Sequence, residues 1–253
     1  MSDTFELLPL RFHCRARTPI SLHANLLRGS FGSALRTIDR TTYDRIFEPH
    51  SSAGPSGLRD APRPFVFRVT ARNVAAGAPF DFSFHWFDVL NAPLGILKQA
   101  FGQLAEVESV EGATVLRLPL DTPGPAKGAR VKFITPTELK GADRPDFGVL
   151  FARIRDRIST LRALYGAGPL NIDFKAIGER ANKIVMTRCE MERVEVERVS
   201  RRTGQRHSLG GFIGVAEYEG ELGEFVPYLE IARWTGVGRQ TVWGKGEIAC
   251  EML

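Results

Sequence analysis

"FDFSFHWF", residues 80–87, carries the cleanest strand signal in the chain. Phe80, Phe82, Phe84 and Trp86 fall on one face, while Asp81, Ser83 and His85 fall on the other. This period-two alternation marks a half-buried strand, with His85 expected on the solvated side or as a cross-strand partner. Upstream, "FVFRVT" supplies a neighbouring strand. The chain opens on another, "FELLPLRFHCRA", in which Leu8, Leu10, Phe12 and Cys14 alternate with more polar residues. Between them "NLLRGSFGSALRTIDR" spaces Leu27, Phe31, Ala34, Leu35 and Ile38 as a helix does, with Asn25 as its expected N-cap. A Pro-, Ser- and Gly-rich loop follows it. Downstream, "APLGILKQAFGQLAEV" predicts a helix and "ATVLRLPL" a strand. The order is β-α-β-β-α-β, the ferredoxin-like unit.

A Pro/Gly break at "DTPGPAKGA" then separates two halves, and the second repeats the order of the first. "RVKFIT" is a strand and "FGVLFARIRDRISTLRALYG" a long helix. "IVMTRCEMERVEVERV" and "GGFIGVAEYEG" are strands joined by a basic turn, "GEFVPYLEIARW" is a short helix, and "GEIACEML" closes as a strand. The predicted architecture is α+β: tandem ferredoxin-like units forming a duplicated fold, with domains at 1–122 and 129–253. The 253 residues suffice for one large domain or two small ones.

Composition narrows the function classes. No apolar run approaches the ~20 residues of a membrane span, and the N-terminus lacks signal-peptide character. The three cysteines are far apart in sequence and make no metal-ligand spacing, which suits a reducing cytoplasm. Neither a cofactor nor a metal is called for. Of the 34 Lys and Arg residues, 27 are Arg, whose planar fork can hold a phosphate through two hydrogen bonds.

Their positions suggest a polyanion. On the first helix Arg28, Gly32, Arg36 and Arg40 recur every four residues, a basic ridge with a notch. The turn "SRRTGQRH" adds Arg201, Arg202 and Arg206, and no acid occurs from Ser200 to Ala216. Near the C-terminus, "WTGVGRQTVWGKGE" interleaves Gly236, Gly238, Gly244 and Gly246 with Arg239 and Lys245. A dinucleotide fingerprint would need glycine where Thr241 stands and a helix where a strand follows. A P-loop would need Ser or Thr after Gly-Lys, where Gly246 stands. The remaining reading is a loop whose glycines, N–H groups and cations let phosphates approach.

"LRGSFGSALR", "YDRIFEP", "APRPFVFR", "ITPTELK", "RRTGQRHSLGGFIG" and the glycine loop occur in the order seen in CRISPR precursor-RNA processing endoribonucleases. The chain resembles the C-terminal-domain group of that family, in the RAMP superfamily, from about residue 24 onward. The resemblance implies tandem ferredoxin-like domains that bind CRISPR repeat RNA and cut it without metal. The RNA 2′-hydroxyl attacks the adjacent phosphorus, leaving a 2′,3′-cyclic phosphate and a 5′-hydroxyl. It also implies other effector-complex subunits as partners, admits a homodimer, and involves no membrane. Two departures stand out. Relatives often carry His where this chain has Ser33, and many carry a cysteine cluster before "YDRIFEP" that is missing here.

Such chemistry needs a base for the 2′-hydroxyl and an acid for the leaving 5′-oxygen, and histidine is suited to both. Of five histidines, His23 precedes the first helix and His207 lies in the basic turn. These two are the candidates, with Tyr43 as a further proton donor. His13 and His85 are expected to be bland, and His50 lies unconstrained in the Pro-rich loop. The candidate RNA contacts are Arg28, Arg36, Arg40, Arg201, Arg202, Arg206, Arg239, Lys245 and the four loop glycines. Ser33 favours a rival account, a non-catalytic repeat-RNA-binding subunit. A weaker third is a ferredoxin-like enzyme for a small anion, which would need a deep pocket.

Overall fold

The computed structural model describes residues 3–48, 61–195, 197–199, 206–208 and 210–253, with the backbone alone at 197–199 and 206–208. The first unit runs β1 (Thr4–Arg15), β2 (Ile20–Leu22), α1 (Ala24–Ile38), α2 (Arg40–Phe47), β3 (Phe65–Arg68), β4 (Arg72–Val74) and β5 (Pro79–Trp86). It continues through α3 (Leu94–Gly102), β6 (Glu106–Glu111) and β7 (Leu116–Pro119). Its sheet has the order β3-β5-β1-β6, with β7 also on β1. The second unit runs β8 (Gly128–Thr137), α4 (Phe147–Tyr165), α5 (Phe174–Ala181), β9 (Val185–Val194), β10 (Glu197–Val199) and β11 (Arg206–Ser208). β12 (Gly211–Glu219), α6 (Val226–Thr235) and β13 (Ile248–Met252) complete it. Its sheet order is β13-β8-β12-β9. In each unit the first and third main strands lie in the centre, flanked by the second and fourth. That is the ferredoxin-like arrangement, present twice.

The aromatic face of β5 explains the first core. Phe80, Phe82, Phe84 and Trp86 are all buried, and Phe31 of α1 and Phe101 of α3 meet Phe84 edge-on at 5.5 and 5.7 Å. Such contacts add about 0.5–1.5 kcal/mol each beyond area burial. Pro9, inside β1, cannot donate to a ladder. Opposite it the fourth strand breaks into β6 and β7 at Gly112, whose φ of 77° lets its backbone approach the Pro9 carbonyl. There a Cβ would collide with backbone.

Several local expectations need correction. The first helix is capped by His23, not Asn25: His23 Nδ1 accepts from the Leu26 N–H at 3.1 Å. The helix also stops at Asp39. This residue is extended (φ −151°, ψ 96°) and caps α2 through the Thr42 N–H and hydroxyl. Arg40 therefore begins a second helix. Residues 106–111, which include the end of the helix predicted over "APLGILKQAFGQLAEV", form β6 instead.

The polar face of β5 is the largest surprise. His85 is 6% exposed, because the second unit lies on that face. Val66, Phe5, Leu7 and Phe87 pack into one core with residues of α4 and α6. The His85 Nδ1–H donates to the Trp234 carbonyl at 2.9 Å, and Arg157 of α4 donates to the Thr235 carbonyl at 3.0 Å. Both carbonyls end α6, where unpaired C=O groups concentrate negative potential that cations and donors satisfy.

Burial, and then the charge of Arg68, push the His85 imidazole down to about 4, against a partial pull upward from the Trp234 carbonyl. The unfolded chain, titrating near 6.5, then binds the extra proton between those two values. Stability is complete above about pH 6.5 and falls as pH drops toward 4, by roughly 3 kcal/mol in all. Urea denaturation at pH 7 and pH 5 should show wild type losing about 2 kcal/mol more than His85→Asn. Equal losses would remove His85 from the account.

Candidate nucleic-acid interface

The glycine-rich loop leaves α6 at Gly236, forms a 3-10 turn at Thr241–Trp243, and enters β13. All four glycines have φ between 70° and 88°. At Gly246 an added Cβ would strike the Val237 carbonyl, and at Gly244 the methyl of Ala24, the first residue of α1. The loop is thus folded tightly on itself and set directly against the start of the first helix. Backbone geometry accounts for these glycines without any ligand.

Arg28 fastens that joint. Its guanidinium lies over the Trp243 ring at 4.3 Å and over Phe47 at 5.5 Å, joining the loop of the second unit to α1 and α2 of the first. A partly desolvated cation–π contact of this kind is worth about 0.5–2 kcal/mol. The notch at Gly32 is filled by the Phe47 ring, 3.2 Å from where a Cβ would stand, so it serves helix packing.

Lys245 is no surface cation. It is 2% exposed, and its three ammonium hydrogens go to Gly210 O (2.6 Å), Gln240 Oε1 (3.0 Å) and Glu138 Oε2 (3.2 Å). Burial depresses its pKa, and Glu138 works in the opposite sense. Gln240, held in the left-handed region at φ 60°, is positioned by this contact. Arg239 by contrast is exposed and meets the other oxygen of Glu138 at 2.9 Å. Burial works against the Glu138 charge, but the bonds from Lys245 and Arg239 outweigh it and hold that carboxyl below its usual range. Glu138, unremarked in the sequence, is what orders the loop. Only its place in "ITPTELK" signalled it.

Arg36 and Arg40 point outward from adjoining helices. Arg36 donates to the Tyr43 hydroxyl at 2.6 Å and stacks on its ring at 4.6 Å; Arg40 lies 5.3 Å from the same ring and pairs with Asp44. Tyr43 is 7% exposed, and its hydroxyl also donates to Glu48. It is an anchor, with its proton already engaged, rather than an available acid. His23 likewise has Nδ1 committed to its cap, and burial lowers its pKa. Taking up a proton at Nδ1 would uncap α1, so His23 in place is a neutral ring with hydrogen on Nε2. It cannot serve as the base while capping.

Arg206 and His207 lie in β11, paired with Val199 and Arg198 of β10, and their side chains fall outside the described residues. Arg201, Arg202 and His50 fall outside them entirely. Ser33 is exposed on α1. Of the flanking tryptophans, Trp234 is half-buried with its ring 5.0 Å from that of His85. Among the described residues, no three His, Cys, Asp or Glu side chains gather into a metal-holding group.

Residues 131–248 match the family model of the CRISPR-associated endoribonuclease Cas6, and residues 5–119 match a model described as an N-terminal domain. No curated protein matches. Among solved structures, Thermus thermophilus Cas6 superposes with a TM-score of 0.66 at 16% identity over 99% of this chain and 100% of that one. A second Cas6, solved as a product complex, gives 0.59 at 18% identity over 98% and 100%. A partial Cas6-RT-Cas1–Cas2 complex gives 0.63 at 12% identity, over 100% of this chain and 47% of that one. The second unit is thus similar to a CRISPR-associated endoribonuclease, and the whole chain shares the fold of the solved Cas6 structures.

Lys245→Met should lower stability by about 1–3 kcal/mol, because it strands Glu138 and two further acceptors, an effect limited by partial solvation of Glu138. Arg239→Ala should stay within about 0.5 kcal/mol of wild type. Thermal melts of both variants check this ordering, and a neutral Lys245→Met would refute the structural role.

Proposed function

We propose that the chain binds CRISPR repeat RNA across the exposed faces of α1, α2 and the glycine loop, and cleaves the precursor there without a metal ion. The carrying observation is the joint itself. Ala24 against Gly244, and Arg28 against Trp243, bring the first helix and the loop together. Arg36, Arg40 and Arg239 face outward from the two units and are assigned to the RNA, and Arg201, Arg202 and Arg206 are assigned to it from their charge in the sequence. Residues 1–122 and 129–253 are taken as the two domains. Three unpaired cysteines suit a cytoplasmic setting, and among the described residues no helix is long and apolar enough to cross a membrane.

In the reaction the 2′-oxygen bonds to phosphorus, the bond to the 5′-oxygen breaks, and a 2′,3′-cyclic phosphate and a 5′-hydroxyl result. One proton leaves the 2′-hydroxyl and one reaches the departing oxygen. His207 is assigned this proton work. The base of its hairpin is tied to the glycine loop through Lys245 and Gly210, only three residues away. At ~3.5 Å per residue that puts its backbone within about 10 Å of Gly210. His23 contributes at most a neutral Nε2–H donor, while Arg36 and Arg239 offset charge on the phosphorane. Holding the strand in line contributes further. Other effector subunits are expected as partners, in keeping with the neighbour named as a Cas6-RT-Cas1–Cas2 complex.

Incubation with the genome's own repeat RNA in EDTA should yield cleavage that stops when the cut-site 2′-hydroxyl is removed. His207→Ala should slow cleavage by about 10²-fold or more with affinity retained. His23→Asn, which preserves the cap, should leave the rate within several-fold. Arg36→Ala and Arg239→Ala should weaken binding and each lower the salt slope by about 1. Exposed Ser33 favours one other reading, a subunit that binds repeat RNA without cutting it. Tight, salt-sensitive binding with no cleavage would establish that reading instead.

A further inference from the structure

Where the two units meet, positive charge is buried with no carboxylate of the described residues beside it. Arg68, on the β3 face that also carries Val66, is 8% exposed. Among the described residues its only hydrogen bond is a long 3.4 Å contact to the adjacent Phe67 carbonyl, and Nε and Nη2 have no partner. Arg157 of α4 reaches in from the other unit; its Nε is satisfied by Thr235 O, while Nη2 is not. His85 stands on the same face as Arg68, one strand away, and Ser83 is directly across from Arg68 in register. The loop backbone closes the side: a Cβ at Gly236 would lie 2.9 Å from Arg68 Nη2 and from the Gly246 carbonyl. The charge of Glu247 reaches Arg68 only from beyond ion-pair distance. Two buried guanidinium groups with unused donors repel one another, and interiors rarely tolerate such groups unpaired.

We propose that Arg68 and Arg157 form a buried site for a small phosphate- or sulfate-type oxyanion at the joint between the units. The ligand's oxygens would accept from the idle Nε and Nη2 atoms and cancel the repulsion between the forks. Such a tetrahedral anion suits donors arriving from two directions, and the adjoining loop backbone would be held with it. Its residues do not belong to the exposed RNA surface described above.

Thermal melts of the full chain without RNA test the site. Inorganic phosphate or sulfate is titrated at constant ionic strength, held with sodium chloride. Wild type should show a saturable rise in melting temperature, on the order of 3–6 °C at ten times Kd. Arg68→Met should melt at or above wild type without the anion, because it removes a buried unpaired charge, and should not respond to it. Arg36→Ala, altered only on the outer surface, should respond as wild type does. Should Arg68→Met not fold, Arg157→Met makes the same comparison. Equal responses in wild type and the buried-arginine variants, or no response in any, overturn the site. The anion could be free in solution or part of an RNA backbone. Unchanged RNA affinity in Arg68→Met identifies the free ion, and a tenfold loss with a shallower salt slope identifies the backbone phosphate.

Discussion

The molecule depends on the second unit covering the polar face of the first sheet. A ferredoxin-like sheet has helices on one side only, and the other side must meet solvent or a partner. Here α4 and α6 lie between the two sheets, so Val66, Phe5 and Leu7 join the core of the second unit. His85 on that face could not remain hydrated, and it donates to a last carbonyl of α6, as Arg157 does from α4. The exit of the chain from that helix is thereby fixed, and with it the origin of the glycine loop.

From that origin the loop is held at three further points. Glu138 and Lys245 tie it to β8 and to the base of the β10–β11 hairpin, Gly244 seats it on α1, and Trp243 stacks on Arg28. Cations that look alike in the sequence consequently divide into two sets. Lys245, Arg28 and Arg68 serve the joint, whereas Arg36, Arg40 and Arg239 face outward. Each outward cation is within reach of a hydroxyl or carboxylate of its own protein.

Alternation and helical spacing made the duplicated fold legible, since Phe80, Phe82, Phe84 and Trp86 obey a rule local to one strand. The partner of the opposite face is not written locally. His85 has the spacing of a surface residue, and only the arrival of α6 buries it. The same limit applies to Lys245, whose burial depends on Glu138, 107 residues away. The break at Asp39 was open to detection, because Asp followed three residues later by Thr42 can cap a new helix. The continuing apolar spacing through Ile38 concealed it. His23 was noticed for its chemistry, although its position just before a helix is equally that of a cap.

The interruption opposite Pro9 has a consequence for how the protein behaves in a crowded solution. A long, flat outer strand offers an unbroken row of N–H and C=O groups to any other chain, and natural sheets blunt such rows. By splitting this margin into β6 and β7 around Gly112, the fold leaves two short pieces out of line with each other. Neither piece is long enough to template an extended foreign strand, so the constraint imposed by one proline also guards against aggregation.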